Sequence, residues 1–507
     1  MDTVKVGWGR REISLDEPMV IPGQMYLRIS KGIHDPMYAT ALCIDGGEGM
    51  DQVIFLSADV ATVYGNMLQP IFDAVKELDP QVPTDAIVFN ATHTHTGPAI
   101  GGSMEETPDG RPVYSGDRYK DFYVRKCAEA VCEAWQTRKA GGVGYGYGFA
   151  VVAHSRRVVY FKEKEKLANR DFMTPSGYAV MYGRTNDPLF SHYEAGADHF
   201  LNVLFTFDEA KKLTGMIVNV PCPSQIGEHL CLQSSDYWNE VREMVAKEFG
   251  DDVYVLTQCG AAGDLTPRIQ HYTKAQERRM RLKYDLPYDS NKLGAHGQDY
   301  YNRTMAERRD IAERIVNGVK EVYSWASKDV STQVPVRHRY EVMALERRKI
   351  TEDEKHWCEE NLEILKDMEP KREDYSGEEY TRRLSVYNNQ VRRNEGGISR
   401  YHDVIENPTM DMGAHLVQVG DVAFATIRFE LYQDFMHRLQ ARSPFLQTFV
   451  VQLAGAEGGN YLATQRGADG KGYSASMFCN MVSANGGHQW VENSLEILKG
   501  FKAADQE

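Results

Sequence analysis

The sequence predicts an α/β fold: a mixed β-sheet core with flanking helices and a helical hairpin inserted into it. Three observations predict it. Short apolar runs alternate with amphipathic stretches from residue 1 to about 270. Between 345 and 400 strand patterns vanish and charge density rises. From His415 onward the apolar runs return.

The elements follow in order. The chain enters a strand-like pattern almost at once. VIFLS at 53–57 reads as a buried strand ending at Asp59, and 68–78 has helical spacing. Residues 86–89 form the next strand. The helix over 119–137 has an apolar face through Phe122, Val124, Cys127, Ala130, Val131 and Trp135. Runs at 203–207 and 215–220 pair as a hairpin. A helix over 236–249 leads into the strand 253–256. The stretch 304–325 is amphipathic and helical. Thr351 and Glu354 form a capping box opening a helix through Leu365, which Met368-Glu369-Pro370 breaks. A second helix runs over 377–394. This hairpin supports the fold, shapes a pocket wall or makes an oligomer contact. Strands at 416–419, 422–427 and 448–453 and a helix over 488–501 close a single domain spanning 1–507.

Composition limits the function. A chain of 507 residues, 42% hydrophobic and 26% charged, is an ordinary globular protein. Its 58 basic and 72 acidic side chains leave a net charge of -14, which argues against nucleic-acid backbones and anionic membrane surfaces. No apolar run approaches the ~20 residues that span a bilayer. No signal-peptide pattern opens the chain, so a cytoplasmic location is expected. The eight cysteines are scattered without a C-x-x-C pair, so neither a disulfide scaffold nor a zinc finger is expected.

The stretch AIVFNATHTHTGP at 86–98 carries the chemistry. Four apolar residues read as a core strand that Gly97-Pro98 terminates. Residues two apart on a strand share a face, so His93 and His95 point the same way. Paired imidazoles there can bind a metal ion, typically zinc; the bland reading is two hydrogen-bonded histidines.

The motifs VGWGRREIS, GIHDPMYATALCIDGG, FLSADV and ATHTHTGP, then GAAGDLTPR, RFELYQDF and NYLATQRGADGKGY, follow in an order that resembles the neutral ceramidase family. The resemblance implies one catalytic domain, without the C-terminal sandwich of secreted ceramidases. It implies zinc held by His93, Glu430 and Tyr461, with His95 lining the site and Tyr473 contacting the reacting group. Without it, Glu430 would be a carboxylate at a helix N-terminus, and each tyrosine a core aromatic. His154-Ser155-Arg156-Arg157 resembles the family's Asn-Arg motif. Arg156 is expected to enter the site and Arg157 to make a surface salt bridge.

Two departures stand out. The family's second ligand histidine is missing from the segment NVPCPSQ at 219–225, where Cys222, His229 or His199 is left to replace it. The family's Gly-Asp-x-Ser-Pro serine is Thr266 here, in a loop with Asp264 whose small residues could leave N–H groups for an oxyanion. Metal-bound water, rather than Thr266, is therefore the expected nucleophile. Asp59 is a candidate partner for a histidine, and Asp236 a helix N-cap.

The expected activity is zinc-dependent hydrolysis of an amide in a small or sugar-derived polar substrate. Glycoside or ester cleavage on the same fold, with Asp59, Asp264 and Glu430 as acid–base groups, is one rival. A binding protein with a degenerate site is the other. The expected partner is a small-molecule substrate; a second copy of the chain joins it only if the insertion makes the oligomer contact.

Overall fold

The computed structural model describes residues 2–161, 172–286, 298–455 and 460–505. An eight-stranded sheet runs in the order Tyr254–Cys259, Leu213–Val220, Phe200–Asp208, Lys139–Phe149, Lys5–Glu12, Tyr38–Asp45, Gln52–Ala58 and Ile87–Ala91. Its two outermost pairs are parallel and the inner ones antiparallel. Parallel neighbours need a crossover. The helix Leu68–Leu78 supplies one and Tyr237–Phe249 the other, both close to the bounds expected from helical spacing. The expected hairpin is present too, Val203 pairing with Val218 and Phe205 with Met216.

The sheet curls until its edges meet. On one edge Asn90 Nδ2 donates to the Thr257 carbonyl of the other at 3.1 Å, and Ser57 Oγ donates to the same oxygen at 2.6 Å. A four-stranded sheet, Val336–Glu346, Thr409–Val419, Val422–Thr426 and Gln447–Val451, packs against it. Alternation sorts the side chains. Phe55, Phe424 and Phe449 fill the space between the sheets, with the Phe55 and Phe424 rings 4.7 Å apart. Ile54 and Leu56 face the helices Leu68–Leu78 and Gly116–Gln136, while Ala423, Ala425 and Val450 face Gln433–Arg442 and Ala484–Ala504. Among the described residues no helix is long and apolar enough to cross a membrane.

The hairpin leaves the second sheet between Val336–Glu346 and Thr409–Val419, which are adjacent antiparallel strands. The strand Val336–Glu346 is not legible in the sequence, because its mixed polar pattern has no clean alternation. Thr351 and Glu354 form the expected reciprocal capping box, and Glu352–Leu365 ends where predicted. The second helix runs over Gly377–Glu406, well beyond Asn394. It continues through Gly396 and Gly397, and the first helix packs closely on the latter: a Cβ on Gly397 would lie 2.8 Å from Cys358 Sγ.

His338 Nε2 and His415 Nδ1 lie 2.8 Å apart on neighbouring strands of the second sheet. Two neutral rings share one proton; a further proton would set two N–H groups against each other. Burial first, then His338, pushes the His415 pKa down to about 3 from 6.5. Between these values the unfolded chain binds a proton that the folded chain refuses. The pair's contribution to stability is complete above pH 6.5 and is lost as pH falls toward 3. Wild type is expected to lose up to ~1.4 kcal/mol more per pH unit in this window than His415→Gln. Urea unfolding of both proteins across the window checks this; parallel pH curves would refute it.

Candidate active site

Each parallel strand pair sends a loop to one place. His93 and His95 follow Ile87–Ala91, Ala61 follows Gln52–Ala58, and Gly263 follows Tyr254–Cys259. Glu430 follows Val422–Thr426 and Tyr461 follows Gln447–Val451. Two short strands then pair in parallel, with Glu430 opposite Tyr461. That register puts carboxylate and phenol on one face.

The histidines are not on the strand, as expected from the sequence, but beyond it. His93 takes a left-handed backbone at φ 64°, uncommon for a residue other than glycine. The turn, not strand alternation, brings the rings together, with centroids 4.8 Å apart and planes at 87°. His93 Nδ1 lies 2.7 Å from the Ala61 carbonyl. A carbonyl only accepts, so Nδ1 carries a proton and Nε2 faces the site. That Nε2 is 3.4 Å from Glu430 Oε2 and 3.4 Å from His95 Nε2.

Arg156 crosses behind this group. Its Nη2 donates to Gly263 O at 2.9 Å and Tyr461 OH at 3.2 Å, and pairs with Glu430 Oε2 at 3.4 Å. Its Nη1 donates to Tyr182 OH at 3.3 Å, and Gln225 Nε2 donates to the same hydroxyl at 2.7 Å. Tyr473 stands beside Tyr461, ring centroids 6.1 Å apart. His95 is held by its surroundings: Arg28 donates to its carbonyl at 2.8 Å, and Glu228 Oε2 lies 3.9 Å from Nδ1. Gly23, at φ 100°, packs so tightly that a Cβ would lie 2.9 Å from the His95 ring.

Burial raises the Glu430 pKa, but His93, Arg156 and Tyr461 outweigh it and hold the group below the ordinary glutamate range. Burial opposes a charge on His93, yet Glu430 pulls its pKa up. His95 is driven well down by burial, then by His93, Arg28, Arg156 and His229, and stays neutral. Two imidazole nitrogens and a carboxylate oxygen face one point, with the Arg156 cation beside the carboxylate. The donor types, two nitrogens with carboxylate and phenol oxygens, suit zinc. Buried His95 Nδ1 also has no hydrogen-bond partner. Among the described residues, however, no three His, Cys, Asp or Glu side chains close into a ready metal cage.

The backbone matches solved structures. It aligns with a neutral ceramidase from Pseudomonas aeruginosa at a TM-score of 0.65, covering 98% of this chain and 75% of that one at 14% identity. The fold is that of the neutral ceramidases. A structure described as ceramidase complexed with C2 aligns at a TM-score of 0.63 and 13% identity, covering 99% of this chain and 76% of that one. No protein-family model and no curated protein matches the sequence.

Several candidates lie elsewhere. Cys222 is buried in the core with its thiol on the Val152 carbonyl at 3.4 Å; burial raises its pKa well above the ordinary thiol range, the opposite of a thiolate ligand. His229 contacts Tyr26 OH at 3.4 Å and Glu228 at 3.9 Å, the carboxylate that also lies 3.9 Å from His95. His199 immediately precedes the strand Phe200–Asp208, where its carbonyl accepts from Ala150 N at 2.9 Å. Asp264 accepts from Gln433 at the start of Gln433–Arg442, where burial raises its pKa to about 6. Thr266 accepts from Arg268 N at 3.2 Å. The loop offers no oxyanion hole through Gly260, Ala262 or Gly263, whose N–H groups go to Val220 O, Gln452 Oε1 and Leu431 O. Its small residues serve close packing instead: a Cβ on Gly263 would lie 2.4 Å from Glu430 O.

Asp59 binds Arg242 at 2.7 and 3.0 Å rather than a histidine. Arg157 is not at the surface; it is fully buried on Glu194 at 2.6 and 2.7 Å. Asp236 caps Tyr237–Phe249, as expected. Sequence reasoning missed Tyr182 and Arg28. Neither sits in a motif, and long-range packing alone brings them in.

Removing one partner of a buried ion pair leaves the other uncompensated. Arg156→Met is expected to destabilise the protein by about 3 kcal/mol or more at neutral pH. The deficit should shrink as pH falls below the ordinary glutamate value of 4.5, where Glu430 can be neutralised. Denaturant titrations at both pH values test this, and a pH-independent deficit would exclude Glu430 as its source.

Proposed function

We propose that the chain is a metal-dependent amidohydrolase acting on a small polar substrate. The observation that carries this reading is the convergence of His93 Nε2, His95 Nε2 and Glu430 Oε2, with Tyr461 in register beside the carboxylate. His93, His95, Glu430 and Tyr461 would hold zinc, His95 taking the place expected of Cys222 or His229. Bound zinc would supply an activated water and polarise the scissile carbonyl.

The chain's own groups do the rest. Arg156, kept charged by Tyr461, Tyr182 and Glu430 despite burial, fixes positive charge beside any oxyanion formed at Tyr461. The Ala61 carbonyl locks the His93 tautomer. Tyr473 offers a hydroxyl at the edge of the site. Glycoside cleavage is less favoured: two of its three carboxylates, Asp59 and Asp264, are committed to Arg242 and Gln433.

Metal content by mass spectrometry tests the ligand set. Wild type and Cys222→Ala should each carry about one zinc per chain, and His93→Ala and Glu430→Gln far less. A metal-free wild type after zinc is offered would overturn the mechanism; loss in Cys222→Ala would reinstate the thiolate. On any N-acyl substrate the wild type cleaves, Arg156→Met should lower kcat about 10²–10³-fold. Steady-state kinetics on an N-acyl, ester and glycoside panel would show it, and cleavage of glycosides alone would refute the amide reading.

A further inference from the structure

Near the site, on the inserted hairpin, Arg393 has no acid to answer it among the described residues. Arg393 lies half-buried on Gly377–Glu406, the longer helix of the insertion. Its Nε donates to Asn389 Oδ1 at 3.1 Å, one turn earlier, which sets the direction of the fork. Its Nη2 donates to Tyr473 OH at 3.3 Å and its Nη1 to Cys479 Sγ at 3.7 Å. A phenol and a thiol are weak acceptors for a charged donor. Among the described residues no carboxylate pairs with Arg393, whose fork meets only the Tyr473 hydroxyl and the Cys479 sulfur. Other arginines nearby are spent: Arg157 closes on Glu194, Arg268 on Glu228, and Arg28 on the backbone carbonyls of Pro22, Glu228 and His95.

Position adds to chemistry. Arg393 stands over the Tyr473 ring at 5.4 Å, and that ring is 6.1 Å from Tyr461, whose hydroxyl meets Arg156. The helix is latched to the opposite lip of the site. Leu27 N donates to Ser385 Oγ at 2.9 Å, and Asn389 Nδ2 to the Met25 carbonyl at 3.4 Å. The neighbouring Gln24 and Tyr26 contact Glu228 and His229. The guanidinium is thus held in place before any ligand arrives, which lowers the entropic cost of binding. In a chain of net charge -14, attraction of a small anion has to come from such a local cation.

We propose that Arg393 is a specificity-determining residue that binds a carboxylate on the substrate, a few bonds from the scissile carbonyl. The proposal rests on the hydrolase reading for the bond that is cut, but not for the anion that is bound. Arginine suits the role because its planar fork meets both carboxylate oxygens at once.

Two probes test it: hippurate, an amide with a free carboxylate, and hippuramide, its neutral counterpart. Calorimetric titration of wild type, Arg393→Met and Arg393→Lys measures binding, with melting temperatures to confirm folding. Wild type should bind hippurate at least about 10-fold more tightly than hippuramide. Arg393→Met should abolish the preference and Arg393→Lys keep part of it. No preference in wild type, or no binding of hippurate, overturns the proposal. So does a preference that survives Arg393→Met, as it would for a carboxylate seated at His93 and Glu430. Failure of the hydrolase reading would look different: the preference intact and neither amide cleaved.

Discussion

Glu430 is almost out of reach of water, and a carboxylate there costs several kcal/mol unless charge and hydrogen bonds answer it. Arg156, His93 and Tyr461 answer it, and each arrives from a different part of the chain. Arg156 reaches Glu430 only because Gly263 lets its loop lie against the Glu430 backbone. His93 reaches it only through a left-handed turn held to Ala61. The site is therefore an electrostatic junction before it is anything else, and the neighbouring loops end where that junction needs them.

The sheets bring these loops within range. An open eight-stranded sheet would hold its two parallel pairs at opposite edges. Here the edges are joined through Asn90, Ser57 and Thr257, and Gln452 N bonds to Cys259 O to tie in the second sheet. The carboxyl ends of three parallel pairs consequently open on one crevice, where α/β folds characteristically bind ligands.

Much of this was legible in the sequence, for reasons that differ by element. The helix Leu68–Leu78 has helical spacing with Ile71 and Val75 facing the core, and Thr351 with Glu354 marks a helix start by local bonding alone. The second helix outruns its expected end at Asn394, through a Gly397 whose close contact with Cys358 on the first helix no local pattern shows. Arg156 and Arg157 are neighbours, yet one meets Glu430 and the other Glu194, which only tertiary pairing decides. The tie between Asp59 and Arg242, 183 residues apart, was likewise invisible. Cys222 occupies the expected segment but points into the core, since side-chain direction at a strand end follows the turn after it.

The place where the hairpin joins the fold has a consequence for how such a protein changes. Glu346 and Thr409 are paired across adjacent antiparallel strands, so the two ends of the insertion are already side by side. Whatever chain joins them, short turn or long helical pair, starts and finishes at points that the sheet alone fixes. Loop-closure entropy grows only with the logarithm of length, so exchanging one connection for another taxes the core little. Lineages can therefore rewrite this wall of the crevice, while the charged junction beneath it stays under separate constraint.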